Sequence, residues 1–196
     1  MPVDQFFDEI KSKAIYRLKN LDTGLTYHCF SHTMDVLEQC IRIAEAEGVK
    51  NEHEIFLLKV AALYHDTGFL HTYRNHEEAS CDIFLAETNG FSFTEEDIEV
   101  VKRLIMVTQI PQQPKDILEK IICDADLDYL GREDFFTIGD TLRKEFLLYK
   151  VVANDFEWEN LQLKFLKNHA YHTASSQLLR EPFKQLNISK LLLEEK

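Results

Sequence analysis

"NEHEIFLLKVAALYHDTG", residues 51–68, is the stretch on which the fold turns. Asn51 and Glu54 stand in capping-box spacing, and Gly68 closes the run. From 55 to 64 every residue but Lys59 is apolar, which predicts a helix buried nearly all round rather than one with a wet face. His65 falls one turn beyond Ala61 and two beyond Leu58, in line with the buried side. Asp66 sits one turn beyond Ala62, slightly to the side. A helix that carries an imidazole and a carboxylate into the interior must find them partners, because a buried unpaired charge costs several kcal/mol.

Working outward, the same period recurs along the chain. "SHTMDVLEQCIRIAEAEG" opens at a possible cap, Ser31, and stops at Gly48. "RNHEEASCDIFLAETNG" runs to Gly90, where Asn89-Gly90 reads as a helix C-cap because no alternating run flanks it. "TEEDIEVVKRLIMVTQ" is capped by Thr94 and halted before Pro111, and "PKDILEKIICDADLDYLG" follows. Residues 133–151, 156–172 and 173–192 add further helical pattern, with Pro182 expected to break or start a helix. Strand signals are nearly absent. The prediction is an all-α compact bundle of about eight or nine helices, forming a single domain over 1–196.

Composition bounds what such a bundle does. The chain has 196 residues, 45% of them hydrophobic, with only six Gly and four Pro, so it can bury a substantial core. No apolar window is long enough to span a membrane, and the acidic start "MPVDQFFDEI" is no secretory leader. The four Cys are scattered without a C-x-x-C pair, and three lie on apolar faces. Free thiols in a reducing cytosol are expected. A formal charge of −12 argues against general nucleic-acid binding but not against a small anionic substrate held by a local cation.

Two further places carry polar residues where apolar ones belong. His32 heads a stripe continued by Val36 and Cys40. In "IICDADLDYLG", Asp126 points into the apolar arc of Leu118, Ile121, Ile122, Ala125 and Tyr129, while Asp124 and Asp128 are expected at its polar border or beyond. A calcium loop is excluded there, because Tyr129 replaces the turn glycine and Phe135 the bidentate glutamate. His32, His65, Asp66 and Asp126 can instead satisfy one another through a single divalent cation. That donor set suits Mn, Fe, Co, Ni or Zn, with Mg also admissible, at one ion per chain.

With these residues in hand, the chain resembles the HD-domain metal-dependent phosphohydrolases. The resemblance covers residues 25–132 and rests on "YHCFSHTMDVL", "AALYHDTGF", "NHEEAS" and "IICDADLDYLG", with helices of 133–196 packing on that core. It implies the helical HD bundle, assigns the metal to His32, His65, Asp66 and Asp126, and implies hydrolysis of a phosphomonoester or phosphodiester by a metal-activated water. The substrate would be a small phosphorylated molecule, with nucleotides among the candidates. Two departures stand out. "RLIMVTQI" offers Thr108 and Gln109 where two-metal members often carry another histidine, and Phe69 occupies a position, three after the Asp of the pair, that is catalytic in some members.

Catalytic roles are therefore sought in Asp66, His71 and His76, since imidazole titrates near working pH. His28, Arg74, Arg143 and Lys144 are the candidate substrate contacts. His53, His169 and His172 read as surface or bundle residues, and Trp158 as bundle packing. Two other functions compete with the hydrolase: a non-enzymatic regulatory module stabilised by its metal, and a di-iron oxygenase, which would need more histidine ligands.

Overall fold

The computed structural model describes residues 3–194. Among them the chain forms nine α-helices and no strand. In order these are α1 (Val3–Leu18), α2 (Phe30–Ala46), α3 (Glu52–Tyr64), α4 (His76–Thr88), α5 (Glu95–Met106), α6 (Ile117–Asp126), α7 (Phe135–Leu148), α8 (Asp155–Asn168) and α9 (Ala174–Glu194). Two 3-10 turns, Thr67–Leu70 and Asp128–Gly131, follow α3 and α6.

Helix α3 is the axis. Phe56, Leu57, Leu58 and every residue from Val60 to Tyr64 are buried. At roughly 1.5–3 kcal/mol for each large apolar side chain, this helix is held by packing on all sides rather than by propensity. Residues of α1, α2, α4, α5 and α6 complete the cluster around it. A second cluster, with Tyr27, Leu127, Tyr129, Leu130, Phe135, Leu166 and Ile188, gathers the C-terminal helices.

Caps explain most helix starts. The Asn51 side chain accepts from the backbone N–H groups of His53 (3.1 Å) and Glu54 (3.4 Å). Thr94 and Asp97 form a full reciprocal box at α5. Gly48, at φ +75°, turns the chain out of α2, and Asn89 is the C-cap of α4 ahead of Gly90 at φ +99°.

Four expectations need correction. The N-cap of α2 is Cys29 rather than Ser31, and no side chain bonds there. Helix α3 stops at Tyr64, not Gly68, because the chain tightens into the 3-10 turn just after the His-Asp pair. Pro182 lies inside α9, which runs through it. Asp124 and Asp128 are fully buried, not at a polar border. Asp124 accepts from the N–H groups of His172 and Thr173, both at 2.8 Å, and from the Thr173 hydroxyl at 2.6 Å. Asp128 is gripped by Arg42 (2.7 Å) and Arg180 (2.9 Å).

Candidate metal centre and its cavity

Three element ends converge. His32 stands in the first turn of α2, His65 and Asp66 follow the last residue of α3, and Asp126 is the last residue of α6. His32 Nε2 lies 3.2 Å from Asp126 Oδ1 and 3.4 Å from Asp66 Oδ2. His65 Nε2 lies 3.3 Å from Asp66 Oδ2 and 3.6 Å from Asp126 Oδ1. His32, His65 and Asp66 each offer a ligand atom within 4.8 Å of the others. The polar residues that sequence patterning placed inside the bundle thus meet at one point.

Local structure aims them. His65 Nδ1 faces the Ala62 carbonyl oxygen at 2.9 Å, which keeps the proton on that nitrogen and turns Nε2 toward the cluster. The Ser80 hydroxyl donates to the His65 carbonyl (2.7 Å) and accepts from Gly68 N–H (2.8 Å), pinning the end of α3 against α4. Gly68 is required at this crossing, since a Cβ there would land on the His76 carbonyl oxygen.

Buried atoms in this cluster lack partners. His65 Nε2 and Asp66 Oδ2 have no hydrogen bond, although both are shielded from water. Buried polar atoms left without a hydrogen bond on two converging side chains are what a cation would satisfy. Burial works against charge on His65, Asp66 and Asp126. The Asp66 and Asp126 carboxylates nonetheless hold the His65 imidazole well above its usual range. Burial likewise opposes the Asp126 charge, but His32 and His65 bring it down to about 2. The donor set therefore fits a divalent ion, which His32, His65 and Asp66 could hold with Asp126 beside them.

Around the cluster stand His76 and His28. His76 Nε2 is 3.3 Å from Asp66 Oδ1, the oxygen turned away from His32 and His65, and 3.6 Å from Glu77 Oε1. Phe69 stacks on both His76 (centroids 3.9 Å) and His28 (4.4 Å), so it serves as a platform for two imidazoles. The His28 Nδ1 edge bonds Glu145, a buried carboxylate that also accepts from Tyr27 N–H (2.9 Å), His28 N–H (3.1 Å) and the Tyr73 hydroxyl (2.9 Å). Burial pulls the His28 imidazole down, but the Glu145 hydrogen bond and the Asp66 charge together outweigh it and hold it above its ordinary value.

Two cavities reach the cluster and share Tyr27, Asp126 and Tyr129 as a wall. The first, about 300 Å³, is lined by His28, Asp66, His76, Glu77 and Thr108 together with residues of α7 and α8, Gln162 among them. The second, about 340 Å³, takes His32, Ser31, Asp35 and Arg132. Arg132 is already engaged there by Asp35 (2.7 Å) and Asp134 (2.6 Å).

A model of the HD domain family matches residues 29–128, half of the 196-residue chain. The chain belongs to the HD domain family. No curated protein and no solved structure matches it. In this HD domain protein, several candidate contacts lie away from the cluster. His71 and Arg74 are exposed and line neither cavity. Arg143 is tied to Asp140 (2.8 Å) and Asp155 (2.6 Å), and Lys144 to Asp140 (2.7 Å), so neither reaches the cavities. Conversely Trp158, expected to pack the bundle, is buried against Phe146 and lines the first cavity. Glu77 and Glu145 carried no sequence signal of their own, because each is one acidic residue among many. Their roles come from partners far away in the chain or from a short helix N-terminus.

Proposed function

We propose that this HD domain protein hydrolyses a phosphate ester of a small molecule, with one divalent cation held by His32, His65, Asp66 and Asp126. The observation that carries this reading is the pair of buried atoms without a hydrogen bond, His65 Nε2 and Asp66 Oδ2, at the meeting point of three helix ends. A cation bound there supplies Lewis acidity, lowering the pKa of a water and polarising a phosphoryl oxygen.

The chain's own groups do the rest. Asp66 Oδ1, facing the cavity beside His76, accepts the proton of the attacking water. His76 and His28, both lining the same cavity, are the candidate donors to the departing oxygen. Glu145 fixes His28 in orientation. With Phe69 serving as a stacking platform, acid–base work falls to these imidazoles. No helix among the described residues is long and apolar enough to cross a membrane. Free cysteines, Cys40, Cys81 and Cys123 among them buried, support a reducing, cytoplasmic setting.

A panel of phosphomonoesters, phosphodiesters and nucleotides, assayed with Mn, Co, Ni, Zn and Mg in turn, tests this reading. Turnover should require one of these ions and vanish in Asp66→Asn. Activity that survives chelation, or that Asp66→Asn retains in full, would falsify it.

A further inference from the structure

The first cavity sets a small charged group against a mostly apolar lining. Asp66, Asp126, Glu77, His28 and His76 supply its titratable side chains, whereas the residues it takes from α7 and α8 are apolar except for the uncharged Gln162. Among the described residues that line it there is no lysine or arginine. The basic residues of α7 are spent on surface carboxylates, Arg143 on Asp140 and Asp155, Lys144 on Asp140. A second or third phosphoryl group would lie against apolar wall with no counter-charge, which burial penalises. At about 300 Å³ the space lies at the small end of small-molecule sites.

Resting on the phosphohydrolase reading, we propose that this cavity holds the uncharged, apolar body of a phosphomonoester whose single phosphoryl group lies at the His-Asp cluster. The apolar lining selects by contact area and desolvation, and the His-Asp cluster accepts one anionic head because a cation offsets its carboxylates. Alkyl or aryl monophosphates are then favoured over pyrophosphate, nucleoside triphosphates and small polar esters such as glycerol phosphate.

Trp158 is the only tryptophan of the chain, so its emission reports on the cavity directly. Protein loaded with Mg²⁺ is titrated with hexylphosphonate, methylphosphonate, hexylamine and pyrophosphate, none of which absorbs where tryptophan does. Saturable change is expected with hexylphosphonate at a concentration at least tenfold below that for methylphosphonate. Leu142→Glu, which sets a carboxylate in the wall, should erase that difference, and Leu142→Ala, which only removes contact area, should shrink it. Equal affinity for the two phosphonates, or tighter binding of hexylamine or pyrophosphate, overturns the proposal. Hydrolysis without chain-length preference sinks the proposal and spares the phosphohydrolase reading. Tight hexylphosphonate binding without any hydrolysis does the reverse.

Discussion

His28 and Glu145 stand 117 residues apart in the chain, and the buried Glu145 carboxylate bonds both the ring and the backbone N–H of His28. Helix α7 is thereby fastened to the segment that leads into His32. The same carboxylate also takes up Tyr27 N–H and the Tyr73 hydroxyl.

Glu145→Ala should therefore destabilise the protein by about 3 kcal/mol, because several buried donors lose their acceptor at once. Glu145→Gln keeps an acceptor and should cost roughly half of that. Urea unfolding measures both, and a loss below about 1 kcal/mol for the alanine variant would contradict the hub role.

Metal content separates the ligands from their neighbours. His65→Ala and Asp126→Ala should each bring the protein from one ion per chain to none by elemental analysis. His76→Ala should keep the ion and slow turnover by about a hundredfold, the scale of general acid–base help. Loss of a second ion in His76→Ala would show that two are held.

Gly68→Ala should lower the melting temperature by about 10 °C, equivalent to about 3 kcal/mol at this size. The added methyl meets the His76 carbonyl and comes within 2.7 Å of Ser80 N, both backbone atoms that cannot swing aside. An unchanged melting curve would mean that α4 is free to shift.

Acid stability has a source outside the His-Asp cluster, in His169. Burial, with the Lys184 charge adding to it, lowers the His169 pKa to about 3, against roughly 6.5 when unfolded. The unfolded chain then binds a proton that the folded one refuses, so this contribution is complete above about pH 6.5 and wanes as pH falls toward 3. His169→Gln should flatten the denaturation midpoint over that window. Identical slopes in the two proteins would rule the assignment out.

Patterning alone exposed the helical class and the set His32, His65, Asp66 and Asp126, because a polar residue on an apolar face is visible from its immediate neighbours. The centre of α3 was legible for the same reason, with Lys59 the only interruption in its apolar run. What escaped depends on distant pairing. Asp128 looked like a border residue until Arg180, 52 positions on, supplied its charge partner. Asp124 likewise meets Thr173 49 positions away. Basic residues close in sequence to the motifs, such as Arg143, were drawn off by carboxylates on their own or the next helix. Trp158 packs in the bundle as expected, and its place in a cavity lining is not legible because one aromatic residue looks the same in sequence whether it faces a core or a cavity.

The family match ends at residue 128, yet the interior acids at 124 and 128 are answered from Thr173 and Arg180, and a Cβ on Gly131 would strike the Arg180 backbone. A fragment cut to the matched span would keep His32, His65, Asp66 and Asp126 and lose Thr173 and Arg180, which answer Asp124 and Asp128. Such a truncation is expected to aggregate, which makes the last helix a part of the fold that holds the His-Asp cluster rather than an ornament upon it.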